Sequence, residues 1–441
     1  MSLEQAFITY IKERESTING QGSTAWHQRR RAALADFEKL GFPEKKDEEY
    51  RYTPIGRALE RTFDGSELSA TGINSQSVQE LLDKVIPTDY SANVLVYVNG
   101  EFQPTFSRTE DIVEGVIITS LSHAYQDHSE LIDQYFAQQT AGQSDSFVAL
   151  NTAVAQEGVF AYAPKNTVVE TPVLVYFISD TTEGTSVSSP RNLYIAESGS
   201  KLSVIESFYT LEGEASYQNA VSEIWVDTNA SVYYNKLQPE SEKAYHTGTT
   251  EVYQARDSRF TGITVSLQGA MLRNNLNITL DGENCESNMY GLYMLDGKSH
   301  VDNHTTVDHR KPNSYSNELY KGIMDEQSKG VFNGKIYVRQ DAQKTNAFQS
   351  NANILLTNEA SIDTKPQLEI WADDVKCSHG ATTGQIDKEQ LFYLRTRGMS
   401  KDQATAILLR AFAGDVLDNI ELDFLRQQIE SVIDERLNTN F

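Results

Sequence analysis

LNITLDGENCESNMYGLYML, residues 276–295, decides the fold. Two short runs with alternating apolar residues, 276–280 and 290–295, flank the polar turn Gly282-Glu283-Asn284. Alternation of period two is the pattern of a strand with one covered face. The same unit, an apolar strand, a polar turn and a small residue opening the next strand, recurs along the chain. Its turns fall at Glu197-Ser198-Gly199, Thr228-Asn229-Ala230, Arg256-Asp257-Ser258, Gln327-Ser328-Lys329-Gly330 and Asn358-Glu359-Ala360. Most spacings are roughly 25 to 30 residues, the signature of stacked coils. One spacing is longer, and HRKPNSYS, residues 309–316, reads as an inserted loop. The expected fold is mainly β, with a central right-handed parallel β-helix. A β-sandwich is the rival, but its two-residue hairpin turns are scarce.

Strands are expected at 173–178, 192–195, 202–208, 224–226, 231–237, 251–253, 262–267, 276–280, 290–295, 335–338 and 354–356, with almost no helical periodicity between them. Before this region the chain is mixed, with helices expected at 3–15, 26–40, 77–85 and 129–139 and strands at 94–98 and 116–120. After it, Asp387 with Gln390, and Ser400 with Gln403, mark two helix starts of capping-box form. Apolar stripes then follow through Leu408 and Phe412, and through Leu425, Ile429 and Ile433. Three units are expected: a mainly helical adaptor over 1–145, the β-helix over 146–385 and a helical domain over 386–441. The helices before and after the solenoid are expected to cap its two free ends.

With 38 Lys and Arg against 62 Asp and Glu, the net charge is −24. So acidic a chain is a poor partner for nucleic acid or an anionic membrane surface. The N-terminal MSLEQAFITYIKERE has no basic-then-apolar signal pattern, and no apolar run reaches membrane-spanning length. The two cysteines, Cys285 and Cys377, cannot build a disulfide framework. A cytoplasmic protein is expected.

Cys377 and His379 are two apart in what reads as a strand, so both project from one face, with Lys376 and Ser378 on the other. A thiolate beside an imidazole suits a soft metal or an iron–sulfur species, but two ligands leave a tetrahedral site unfinished. The bland alternative is a strand end with a small buried cysteine and a solvated histidine. His300 and His304, in HVDNHTTVDH, share a strand face and are candidate metal ligands; His309 has the opposite parity. Ordinary turn and hydrogen-bonding roles compete for all three. Cys285, beside the 282–284 turn, reads as structural. No GxxxxGK[ST] loop is present, so ATP hydrolysis is not expected of this chain.

The longest informative run resembles a known family. CSHGATTGQIDKEQLFYLRTRG (377–398), with HVDNHTTVDH (300–309), SNELYKGIMDEQSKGVFNGKIYVRQDAQKTNAFQSNANILL (316–356) and DTKPQLEIWADDVKCSHG upstream, is similar to the SufB/SufD family of the SUF iron–sulfur cluster assembly machinery. Ser378 and Gly380 stand where the SufB branch has glutamates, and cysteines are few, which places the resemblance on the SufD side. The resemblance implies a non-catalytic scaffold that pairs with a SufB homologue and with the ABC-type ATPase SufC, and a homodimer when isolated. It implies transient iron or an iron–sulfur cluster at a shared interface through Cys377 and His379, and no tightly bound cofactor. It also implies ATPase docking on the C-terminal helices, for which Thr405, Leu408, Leu409, Phe412 and Asp415 are the candidates. A second reading from another class is a secreted-type β-helical polysaccharide lyase or hydrolase. The missing secretion signal and the negative charge, which repels polyanions, count against it.

Overall fold

The structure is a computed structural model that describes residues 2–15, 24–68, 72–86, 90–109, 112–141, 145–211 and 213–440. In chain order the helices are α1 (Leu3–Glu13), α2 (Ala25–Leu40), α3 (Ile55–Thr62), α4 (Ser75–Val85), α5 (Leu121–Tyr135), α6 (Ser146–Val154), α7 (Lys388–Thr396), α8 (Lys401–Leu417) and α9 (Asp423–Asn440). The early strands are β1 (Asn93–Val98), β2 (Glu101–Phe102), β3 (Ile117–Ser120), β4 (Val159–Ala163), β5 (Val173–Asp180), β6 (Ser186–Ser188) and β7 (Arg191–Ala196). Then come β8 (Lys201–Leu211), β9 (Ser216–Val226), β10 (Ser231–Pro239), β11 (Ala244–Gln254), β12 (Arg259–Gln268), β13 (Met271–Leu280) and β14 (Glu286–Leu295). The last six are β15 (His300–His309), β16 (Tyr315–Met324), β17 (Lys329–Val338), β18 (Asn346–Leu355), β19 (Ser361–Ile370) and β20 (Lys376–Gly384). Among the described residues no helix is long and apolar enough to cross a membrane.

From β7 onward consecutive strands alternate between two sheets. One runs β2-β1-β5-β8-β10-β12-β14-β16-β18-β20, the other β19-β17-β15-β13-β11-β9-β7-β4-β3. The stacked strands pair in parallel, which makes the core a two-sheet β-solenoid, as the repeat implies. Inward residues stack in register: Tyr194, Ile224, Val252, Ile278, Val307 and Ile336 form one column. All six lie in one apolar cluster. Each such side chain contributes about 1.5–3 kcal/mol by leaving water.

Along one edge, one residue of each turn takes the left-handed backbone region: Gly199 (φ 71°), Asn229 (57°), Asp257 (60°), Asn284 (60°), Asn313 (64°) and Lys344 (59°). Gly, Asn and Asp adopt this region most readily. Each donates its backbone N–H to the turn above: Asn229 to Arg256 O, Asp257 to Glu283 O, Asn284 to Pro312 O and Asn313 to Gln343 O. HRKPNSYS is therefore not an insertion. It holds the Asn313 turn, an ordinary member of this ladder. The apparent gap arises because the turns read at 327–330 and 358–360 lie on the opposite edge, between β16 and β17 and between β18 and β19.

Three further expectations are corrected. The helix expected at 129–139 is α5, which starts at Leu121 because the Ser120 hydroxyl accepts the His123 N–H, and ends at Tyr135. The strand expected at 94–98 does not stay within a separate adaptor: β1 joins β5 in parallel and extends the solenoid sheet. The C-terminal helices do not cap the last coil. They turn back and cover the outer face of the β8–β16 sheet, where Leu409, Val416, Leu425 and Ile429 pack on Tyr233, Ile263, Leu292 and Ile323. Glu421 N–H donates to Tyr233 Oη (2.7 Å) and Arg436 pairs with Asp296 (2.6 Å). The outer face of that sheet is itself apolar, and an amphipathic helix buries more surface along it than across a coil end. The N-terminal helices do likewise on the other sheet, through Phe7, Phe37, Leu59 and Phe147 against Tyr217.

Candidate functional site

The terminal coil, β19 and β20, is the site. Each strand is hydrogen-bonded on one side and ends its sheet. Cys377 pairs in register with the fully buried Ala347, and His379 with the buried Gln349. Cys377 and His379 thus lie on the inward face, and Lys376 and Ser378 on the outward one, as their parity predicts. Cys377 is half-buried against the apolar interior, whereas His379 is exposed. The interior of the last coil is open to solvent at this place. Burial pushes the Cys377 thiol up, against a smaller opposing hydrogen bond from the Ala347 backbone. A metal taken here must displace a proton from sulfur.

Around the opening lies an exposed apolar and aromatic rim. Ile370 and Trp371 are exposed at the end of β19, as is Phe348 on β18. Trp371 stacks on Tyr337 with ring centroids 6.3 Å apart, and the Arg339 guanidinium sits over both rings. Unpaired strand edges beside exposed aromatics are a surface that natural folds leave bare only where something covers it.

The other candidates lie elsewhere. His300, Asp302 and His304 share the outward face of β15, while His309 points inward and bonds Ser316 Oγ (2.9 Å). The outward trio holds the N-terminal segment. Thr53 Oγ1 bonds His300 Nε2 (2.9 Å) and Asp302 Oδ2 (2.5 Å), and Arg273 pairs with Asp302 (2.7 Å). His304 sits between Asp302 (3.1 Å) and Glu49 (3.4 Å), and Lys335 also pairs with Glu49. Burial opposes ionisation of Asp302, but Arg273 and His304 overcome it and hold the carboxyl far below its ordinary range. Burial pushes His300 down to about 4, so it is neutral. The carboxylates are already matched by Arg273 and Lys335, and among the described residues no group of three or more His, Cys, Asp or Glu is arranged to hold a metal ion. The trio clamps the segment around Glu49 and Thr53 onto β15. Cys285 is buried and its thiol is pushed up by burial.

The five docking candidates on α8 split. Thr405 and Leu409 are buried under the helix and cannot meet a partner without unpacking it. Phe412 is half-buried beneath the Lys321 ammonium (4.2 Å to the ring centre), and Lys321 also pairs with Asp415, whose side chain is 65% exposed. Leu408 is half-buried. The exposed apolar side chains are instead Phe392, Tyr393 and Ile407. Phe392 and Tyr393 belong to α7, which buries none of its residues. The stripe expected through Leu408 and Phe412 is the half-buried flank of α8; the buried stripe runs through Ala404, Thr405, Leu409, Ala413 and Val416.

Comparison with known proteins agrees with this architecture. Residues 1–175 match the model of the SufBD protein N-terminal region, and residues 177–412 that of the SUF system FeS cluster assembly SufBD core domain. The chain is 32% identical over 431 residues to an iron–sulfur cluster assembly SufBD family protein of Synechocystis, covering 96% of this chain and 93% of that one. It is 32% identical over 407 residues to the iron–sulfur cluster assembly protein SufD of Escherichia coli (92% and 91%), and 26% identical over 454 residues to SufD of Bacillus subtilis (99% and 98%). These relatives are named as assembly proteins. The chain belongs to the SufB/SufD family of SUF-system iron–sulfur cluster assembly proteins.

Proposed function

We propose that this chain is a non-enzymatic scaffold subunit whose open terminal coil is completed by a homologous SufB-like chain, and whose C-terminal helices carry a SufC-like ABC-type ATPase. The observation that carries the reading is the unsealed last coil: two free strand edges with Cys377 and His379 on its inner face. Iron or a nascent iron–sulfur cluster is the cargo. The Cys377 thiolate and the His379 imidazole supply two donors, and the partner supplies the rest. The same edges account for a homodimer when the chain is alone, since a second copy offers the same unpaired backbone. A cytoplasmic setting suits a free thiol. A polysaccharide lyase shares the solenoid architecture, but family membership does not favour it.

The test is co-expression with the partner genes, purification of the complex, and measurement of its mass and of bound iron and sulfide. His379→Ala is expected to leave the complex mass unchanged and lower bound iron at least fivefold. Equal iron in wild type and variant overturns the ligand role.

For ATPase docking, the exposed trio replaces the buried residues as the contact. Phe392→Glu combined with Ile407→Glu is expected to lower captured ATPase at least tenfold, an effect of about 1.4 kcal/mol or more. Leu408, Phe412 and Asp415 lie on the same helix as Ile407 and form the flank of this face. Unchanged capture by the double variant, with an unchanged melting curve, removes the placement.

A further inference from the structure

We propose that Gln349, held in one orientation by Glu318, is a positioning residue that accepts a ring N–H of His379 and so fixes its tautomer, leaving the other ring nitrogen free to bind. The proposal rests on the ligand role given to His379. Glu318, Gln349 and His379 occupy one inward ladder on successive coils, β16, β18 and β20. Successive coils stand about 4.8 Å apart, so each side chain lies over the next. Gln349 Nε2 donates to Glu318 Oε2 at 2.7 Å. Above about pH 7 Glu318 is a carboxylate, which accepts hydrogen bonds and cannot donate them, so the amide nitrogen faces it there. The amide oxygen is then left free for a donor from the last coil. Gln349 Oε1 is buried and has no hydrogen-bond partner among the described residues. Gly334 on the opposite sheet leaves the room the amide occupies: a Cβ there would stand 2.2 Å from Gln349 Nε2.

A buried carbonyl oxygen without a donor is unfavourable, and the next polar side chain on the ladder is His379. His379 is exposed, so a rotation about its side-chain bonds brings a ring N–H down onto Gln349 without displacing packed neighbours. Imidazoles that bind metals commonly hold their other N–H in this way, and the acceptor sets which nitrogen carries the lone pair. Glu318 acts on His379 through the orientation of one amide.

The test uses the full chain with ¹⁵N-labelled histidine at pH 8.5, above the range of about 7 to which burial raises the Glu318 carboxyl. Long-range ¹H–¹⁵N correlations report the tautomer, and His379→Ala assigns the signal. Wild-type His379 is expected in one tautomer. Gln349→Met, which keeps the length and removes the acceptor, is expected to return it to a mixture. Glu318→Gln, whose amide can donate as well as accept, is expected to give an intermediate pattern in a folded chain. A mixed tautomer in the wild type, or the wild-type pattern in folded Gln349→Met, overturns the proposal. A fixed tautomer together with unchanged iron in His379→Ala sinks the ligand reading alone. Iron loss with an unfixed tautomer sinks the positioning role alone.

Discussion

Replacing Arg191 by Met is expected to lower the unfolding free energy by about 3–5 kcal/mol, the usual cost of breaking a buried ion pair from one side. Arg191 and Glu223 are both fully buried, with Nη2 to Oε2 at 2.5 Å. The guanidinium also donates to Thr152 Oγ1 (2.9 Å) and Thr140 Oγ1 (3.1 Å) and lies over the Phe136 ring. Glu223 accepts the Ala137 N–H (2.7 Å) and the Gln139 N–H (3.1 Å). The pair therefore ties β7 and β9 to α6 and to the segment that follows α5. Met matches the length of the arginine stem but leaves the Glu223 charge with two backbone donors and no cation. Adding Glu223→Gln to that variant removes the stranded charge and is expected to restore part of the loss. Urea unfolding at pH 7 measures both. A loss under about 1 kcal/mol for Arg191→Met means that the charge is relieved in some other way, and the pair is then not what joins these elements.

The solenoid could be read from its turns, because each turn along one edge needs a residue in the left-handed region and Asn229, Asp257 and Asn284 supply it in types that tolerate it. The Lys344 turn gave no such signal, since lysine has no preference for that region. Two turn ladders run along the two edges, and nothing local to a turn states which edge it belongs to. That is why 309–316 looked like an insertion. The facing of Cys377 and His379 followed from parity alone. The path of the C-terminal helices did not, because an apolar stripe specifies that a helix is covered and not what covers it. The burial of Thr405 and Leu409 was missed because the stripe through Leu408 and Phe412 runs one position from the buried one. The Glu318–Gln349–His379 ladder was also out of reach, as it depends on the register between strands some thirty residues apart.

Glu318 leads to the second large effect. Glu318→Gln is expected to raise stability by about 3 kcal/mol at pH 8 and to leave it unchanged at pH 4. Burial pushes the carboxyl from 4.5 up to about 7, with Thr305 and Gln349 opposing weakly. In the unfolded chain this carboxyl ionises above about pH 4.5, whereas in the folded chain it stays protonated until about 7. Unfolding between those values releases a proton, so the contribution of Glu318 to stability is intact below pH 4.5 and falls away as pH rises to 7. The difference of about 2.5 pH units corresponds to about 3 kcal/mol, at about 1.36 kcal/mol per unit. Gln keeps the volume and the hydrogen bond to Gln349 without a titrating proton, so the variant lacks this pH dependence. Denaturant midpoints of wild type and variant at pH 4, 6 and 8 give the measurement. The two should coincide at pH 4 and diverge steadily above it. Parallel curves across the whole range mean that the folded and unfolded carboxyls titrate alike, and Glu318 then lies in a wetter interior than its burial implies. A wet channel would also let water satisfy Gln349 Oε1, so this outcome bears directly on whether His379 is needed as its donor.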